Sequence, residues 1–247
     1  GAKEILRSPA HYLLRYGAKA HRPKPSAAMR YGTAAHLLIL EGEEKFRRHV
    51  AANPGINRRT KAGKFEWDDF VASKPELTED MVFSTEDYDS MFWLRDAVLA
   101  HPQASHLLGL GCPEEYIAWD DPETSAPCKA LVDWMRPDAI VDLKTCADAS
   151  PEGFAKAVYN FKYHLSAQFY RMGDAANSGG DLKDYYWIAA EKHTNQVAVY
   201  TMDEKAKELG ASACRRAIRI YADCKQTGDW WSYSPDSLEL TSPSWAR

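Results

Sequence analysis

Two aspartates and a lysine, Asp133, Asp142 and Lys144, stand at a spacing suited to metal-assisted attack on a phosphodiester. Lys129-Ala-Leu-Val-Asp133 is followed, after eight residues, by Asp142-Leu-Lys144. The segments Cys128 to Trp134 and Ala139 to Thr145 alternate as strands, and Arg136-Pro137-Asp138 between them supplies proline and aspartate for a tight turn. A turn centred on Pro137 and Asp138 sets Asp133 opposite Asp142, and directly opposed residues have Cβ atoms roughly 5 Å apart. Carboxylates that close repel unless a divalent cation lies between them, and Mg²⁺ is held by one or two carboxylates with water and phosphate oxygens. Lys144, two residues past Asp142, shares its face of the strand. There an ammonium can orient or deprotonate a water, or offset charge on a phosphate. Asp138 also stands before Asp142-x-Lys144, but on one strand the two acids are about 13 Å apart, too far to share an ion. Asp138 is therefore rejected. The bare pattern also fits ordinary polar residues flanking a surface hairpin.

The elements that must hold these residues are legible in outline. Ser8-Pro9 reads as the cap and first residue of a helix ended by Gly17. After the link Arg22-Pro-Lys-Pro25, a second helix runs from about Ala27 to Leu40. Its residues Met29, Thr33, His36 and Leu40 fall near one face, and Gly32, Ala34 and Ala35 allow another element to approach closely. Residues 51 to 64 read as a flexible basic loop, and 84 to 100 as a helix capped by Ser84. Strands near 114–119, 128–134 and 139–145 lead to helices near 151–159 and 162–177. Strands near 184–190 and 196–201 follow, then a long helix from Asp203 to Lys225 and an aromatic tail. Helices before and after a cluster of strands imply an α/β fold, with a central mixed sheet flanked by helices.

Length and composition bound the class. A chain of 247 residues, 45% hydrophobic and 12% aromatic, can bury a substantial core, and one domain is expected over 1–247. Within it, 1–64 forms a basic helical part, 113–202 the sheet-containing core and 203–247 a closing helix and tail. No apolar run approaches the roughly 20 residues that span a bilayer, and the start lacks a secretory signal's apolar core, so a cytoplasmic protein with no membrane partner is expected. Five scattered cysteines, none in a C-x-x-C pair, argue for free thiols and against structural zinc. The net charge of −4 hides an asymmetry: residues 1–64 carry 14 Lys or Arg against four Glu. Such a segment on an acidic body suits a phosphate-tracking surface, or a basic face that pairs with the acidic remainder.

Over nearly its whole length the chain resembles the RecE-type (exodeoxyribonuclease VIII) branch of the PD-(D/E)xK nucleases, relatives of phage lambda exonuclease. The marks are Ser8-Pro-Ala-His-Tyr12, Met29-Arg-Tyr-Gly-Thr-Ala-Ala-His36, Glu115 before Trp119-Asp-Asp-Pro-Glu-Thr124, and Lys129 to Asp133. Val141-Asp-Leu-Lys-Thr145, Tyr163-His-Leu-Ser-Ala-Gln-Phe-Tyr170, Ala190-Glu-Lys192 and the closing Trp231-Ser-Tyr233 and Trp245-Ala246 complete them. The resemblance implies that His36 ligates a metal beside Asp133 and Asp142, with the Leu143 carbonyl as a further ligand. It implies Glu115 as an active-site acid, with Glu114 as the alternative one register away. Two departures are Val132, where relatives often carry proline, and Ser166, where they often carry glutamine. Gln168, two residues on, is the stand-in with Tyr170.

The resemblance further implies one or two Mg²⁺ ions per site, with Mn²⁺ as a substitute, and 5′-to-3′ digestion of one strand of linear double-stranded DNA. The products would be 5′-mononucleotides and a 3′ tail for a RecT-like single-strand-annealing recombinase. A homo-oligomeric ring, trimer or tetramer, is also implied, in a bacterial or phage-infected cell. Ser8, Arg22, Lys24, Arg30, Arg58, Arg59, Lys61 and Lys64 are candidate DNA contacts, with Tyr170. Two other readings stand beside this one: a PD-(D/E)xK endonuclease or CRISPR-adaptation-type nuclease, and an inactive module that binds DNA or a recombinase.

Overall fold

A computed structural model describes residues 1–17, 23–234 and 236–242. The first half is helical: α1 (Ala2–Ile5), α2 (Pro9–Tyr16) and α3 (Ala27–His36), which widens into a π turn over Leu37–Glu41, then α4 (Glu43–His49). After β1 (Ala51–Ala52) come α5 (Lys61–Ala72), a 3₁₀ turn at Glu79–Met81, β2 (Val82–Phe83), α6 (Thr85–Ala100) and α7 (Pro102–Leu108). The second half holds the main sheet: β3 (Cys112–Asp120), β4 (Pro127–Met135), β5 (Ala139–Cys146), α8 (Pro151–Asn160), α9 (Tyr163–Ser178), β6 (Asp184–Glu191), β7 (Val197–Tyr200) and α10 (Glu204–Thr227). Ser8, Ser26, Thr60, Ser84, Ser150 and Asp203 each cap the helix that follows, accepting a backbone N–H in its first turn. Such a cap contributes about 1 kcal/mol. Among the described residues no helix is long and apolar enough to cross a membrane.

The five strands lie in the order β3-β4-β5-β6-β7, antiparallel except for the parallel pair β5–β6, which α8 and α9 connect. This is the mixed sheet the sequence implies. Side-chain alternation sends β5 and β6 into two cores at once. Val141, Leu143, Ile188 and Ala190 pack with α3, the π turn, α4, α6 and α7, while Ile140, Tyr185, Trp187 and Ala189 pack with α8 and α9. The small residues of α3 do what their size allows: Ala34 and Ala35 are fully buried, and a Cβ on Gly32 would lie 3.2 Å from the Thr145 hydroxyl.

Residues 51 to 64 are not one loop. They contain β1 and the first turn of α5, whose cap Thr60 precedes a run rich in charged residues that hides its helical period. Helices α1, α4 and α7 were not anticipated either; each is eight residues or shorter, too brief to show a clear apolar stripe.

Two contacts fix the far end of the β3–β4 hairpin against the helices. Asp121, 1% exposed, accepts from the Thr124 backbone N–H and hydroxyl at 3.0 and 2.9 Å, and from Arg215 of α10 at 2.5 Å. Burial alone would raise its carboxyl, but these donors hold it below the ordinary range. Gly173 of α9 lets the Trp119 ring lie against the helix, where an added Cβ would sit 2.4 Å from an indole carbon.

Arg215→Ala strands a buried carboxylate and is expected to cost about 3 kcal/mol at pH 7. Because the folded-state pKa of Asp121 is depressed, its contribution is present above the unfolded value near 4 and lost as pH falls through the folded one. Urea titrations should therefore show the gap between wild type and variant closing toward pH 3. Gly173→Ala, which helix propensity favours by about 1 kcal/mol, should instead lose about 2 kcal/mol through the clash, read as a lower urea midpoint.

Candidate active site

The site opens where β4 passes from one core to the other. Val132 packs with the α8–α9 side and Trp134 with the α3–α6 side, and Asp133 lies between them. The β4–β5 ladder is only two pairs long, Trp134 with Val141 and Met135 with Ile140, which fixes the register that sets Asp133 opposite Asp142. One step further the strands part, and the Leu143 N–H is satisfied at 3.2 Å by the Asp133 carboxylate instead of a strand carbonyl. The ladder to β3 is interrupted at the same level. Pro113 pairs with Trp134 and Glu115 with Val132, but the intervening Glu114 adopts φ +53°. That left-handed backbone costs a non-glycine residue about 1–2 kcal/mol.

His36 arrives from the opposite layer, at the last residue of α3. Its Nε2 lies 2.6 Å from the Leu143 carbonyl oxygen and its Nδ1 3.5 Å from Asp133. Ligand atoms of His36, Glu114 and Asp133 fall within 4.8 Å of one another. Asp142, 2% exposed, pairs with Lys144, whose Nζ also lies 3.8 Å from Asp133. The Lys144 ammonium sits over the Tyr163 ring, 5.4 Å from its centroid.

Charge is distributed unevenly across these groups. Burial, reinforced by the charge of Asp142, raises the Asp133 carboxyl well above the ordinary range. At Asp142 burial acts the same way, but Lys144 and hydrogen bonds from Asp133 and Lys144 bring it down to about 2. Burial would lower the Lys144 amine, and the two aspartates more than reverse that. Burial and then Lys144 bring His36 down to about 4, leaving a neutral imidazole near pH 7. One carboxylate is thus held ionised beside a lysine while its neighbour is disfavoured as an anion, and a divalent cation between the two would relieve that repulsion. A neutral imidazole, two further carboxylates and a backbone carbonyl form a nitrogen and oxygen donor set of the kind Mg²⁺ or Mn²⁺ accepts, so the residues fit a hard divalent ion.

Of the residues singled out in the sequence, His36, Asp133, Asp142, the Leu143 carbonyl and Lys144 come together. Glu115 does not: it is exposed, and Glu114 takes the acid's place beside Asp133. The β3–β4 register accounts for this, since it sets Glu114 opposite Asp133. Gln168 is also displaced. It is buried, and its Oε1 accepts from Arg171 at 3.2 Å, against α10 at Gly210. Two positions along a helix are about 200° apart, so Gln168 and Tyr170 cannot face one site together. Tyr170 does lie beside the carboxylates; burial and then Asp142 raise its hydroxyl. Tyr163, two turns earlier on the same stripe, was overlooked.

The candidate DNA contacts divide. The Ser8 hydroxyl is buried and engaged with the His11 backbone and ring, so it caps its helix and faces no ligand. Arg30 donates to the Asp80 carbonyl at 2.7 Å, and Arg58 pairs with Glu79 and stacks on Trp67. Arg22 lies outside the described residues. Lys24, Arg59, Lys61 and Lys64 are exposed, and among the described residues their side chains form no ion pair. Part of the basic first quarter is therefore consumed locally.

The strain at Glu114 and its place in the donor set are separable. Glu114→Ala and Glu114→Gly should both weaken Mn²⁺ binding at least tenfold by calorimetry. The glycine variant should be more stable than the alanine one by about 1 kcal/mol, because only glycine adopts the left-handed backbone freely. Equal melting points would show that Glu114 is unstrained.

A family model described as "PDDEXK-like domain of unknown function (DUF3799)" matches residues 1–237. No curated protein matches the chain. Among solved structures, that of a candidate exonuclease from Eubacterium rectale shares the fold, with a TM-score of 0.63 and 14% identity over 98% of this chain and 88% of that one. The structure of SSO0001 covers 89% of this chain and 84% of its own at 10% identity, but its TM-score of 0.31 carries no argument. The PD-(D/E)xK level of the resemblance read from the sequence thus agrees with a family match over almost the full length: the chain belongs to the PDDEXK-like domain family DUF3799.

Proposed function

We propose that this chain is a divalent-metal-dependent exodeoxyribonuclease of the RecE-like type, acting on linear double-stranded DNA. The observation that carries the reading is the joining of His36, Glu114 and Asp133 to the Asp142–Lys144 pair in one opening of the sheet. The fold shared with a protein described as a candidate exonuclease supports the exonuclease form over other phosphodiesterases.

His36, Glu114, Asp133 and the Leu143 carbonyl would hold the ion, with Asp142 as a further carboxylate at its edge. When bound, a Mg²⁺ or Mn²⁺ ion supplies Lewis-acid charge at a phosphoryl oxygen and lowers the pKa of a bound water. Asp142 keeps Lys144 protonated, and that ammonium faces the site, where it orients the attacking water and offsets charge gathering on the phosphoryl oxygens. Tyr163 and Tyr170 wall the lysine on the α9 side, which lowers local water content and strengthens each charge contact. The exposed Lys24, Arg59, Lys61 and Lys64 extend the phosphate-binding surface.

The rest of the reading follows the family resemblance: 5′-to-3′ polarity, release of 5′-mononucleotides, a homo-oligomeric ring, and delivery of the 3′ tail to an annealing recombinase in the cytoplasm of a bacterial or phage-infected cell.

The direct test is digestion of end-labelled linear duplexes beside a closed circle, with Mg²⁺, with Mn²⁺ and with EDTA. Metal-dependent release of 5′ label and an intact circle are expected. A nicked circle favours an endonuclease, and absence of hydrolysis with either metal sinks the catalytic reading. Lys144→Ala should lower kcat by at least a hundredfold with the melting temperature little changed.

A further inference from the structure

Lys3 lies about 140 residues before the active-site lysine, yet the fold brings the two to one ring. The Lys3 Nζ is 5.3 Å from the Tyr163 ring centroid, and the Lys144 Nζ is 5.4 Å from the same centroid. Both distances lie within the range of a cation–π contact. Lys144 is neutralised by Asp142 and Asp133. Lys3 is half-buried, and among the described residues its amine forms neither an ion pair nor a hydrogen bond. Its position is fixed from behind, because Ile5, two residues on, is 2% exposed and α1 packs on α2 and α10.

A half-buried ammonium beside a second ammonium is unfavourable without an anion, and like charges lower one another's affinity for protons. Burial and then Lys144 bring Lys3 down to about 8, so it remains mostly charged at neutral pH. The neighbouring start of α9 adds to the positive field. Its N-cap residue is Lys162, and no side chain caps the free N–H groups of its first turn. These groups lie around Tyr163, on the α9 side of the carboxylates.

We propose that Lys3 binds the backbone phosphate adjoining the one under attack, on the same strand. The proposal rests on the nuclease reading and gives it a second anchoring point. Both ammonium groups sit against the Tyr163 ring, so Lys144 serves the reacting phosphate while Lys3 sets the register of its neighbour. Lys3 is a positioning residue: it holds the strand in line and takes no part in moving a proton. An arginine at this position keeps the charge, whereas glutamine keeps the length and loses the charge.

The test is fluorescence anisotropy of a short labelled duplex in EDTA over a range of KCl concentrations, with wild type, Lys3→Gln and Lys3→Arg, each checked by thermal melting. Lys3→Gln should bind about five- to tenfold more weakly, and its log–log salt slope should be smaller in magnitude by about one ion, while Lys3→Arg keeps the wild-type slope. In Mg²⁺ the glutamine variant should show the loss chiefly in KM. A duplex with one neutral methylphosphonate next to the cleaved linkage should weaken wild type by the same factor and leave Lys3→Gln unaffected. An unchanged slope in Lys3→Gln overturns the assignment even if wild type cleaves DNA. A changed slope in a wild-type background that binds but does not cleave upholds Lys3 and overturns the nuclease reading. Absence of binding by wild type overturns both.

Discussion

Setting a buried aspartate, Asp142, beside the half-buried Asp133 is the constraint on which the rest of the structure depends. Water screens them poorly there, so their charges are met by groups the fold delivers to the same point. Lys144 pairs with Asp142 and also approaches Asp133, and a divalent cation would meet the charge that remains. Every long-range feature of the site serves that need. Helix α3 brings a neutral histidine across the sheet, β3 adds Glu114, and α9 adds two tyrosines that close the lysine side. The two cores on either face then hold these elements in place, with β5 and β6 buried between them.

Much of this was legible in the sequence because it rests on short-range rules. The turn at Pro137 and Asp138 fixed the strand register, and with it the facing of Asp133 and Asp142, without any knowledge of the third dimension. Caps at Ser8 and Ser84 likewise gave helix starts that the structure keeps, and the last helix begins at its expected place, capped by Asp203. Joining His36 to those acids is different. It spans more than a hundred residues, and only the family motif made the connection.

What the sequence hid has specific causes. Glu115 was preferred to Glu114 because the motif was placed one residue late; the β3–β4 register, which sets Glu114 opposite Asp133, is a long-range feature of the fold. Gln168 and Tyr170 were paired despite opposite helical faces. The basic first quarter was read as a phosphate-tracking surface or a face paired with the acidic remainder, but Arg58 pairs with Glu79 and stacks on Trp67, and Arg30 is tied to the Asp80 backbone carbonyl and the Phe83 ring. Counting charges cannot separate a solvated lysine from an arginine used as a strut. The role of Lys3 was invisible for another reason, since α1 is a single turn whose position is set wholly by what it packs against.

The π turn that follows His36 ties the placement of that histidine to the packing of the residues beyond it. A π turn holds one residue more than a regular helical turn, so Leu37–Glu41 behaves as an insertion absorbed without a loop. Removing one residue there would restore an α-helix and rotate everything beyond it by about 100°. Leu38 and Leu40 would leave the core they now fill, or else His36 would swing away from Leu143 and Asp133. A single-residue deletion at this helix would therefore set the packing of Leu38 and Leu40 against the placement of His36 beside Asp133 and Leu143.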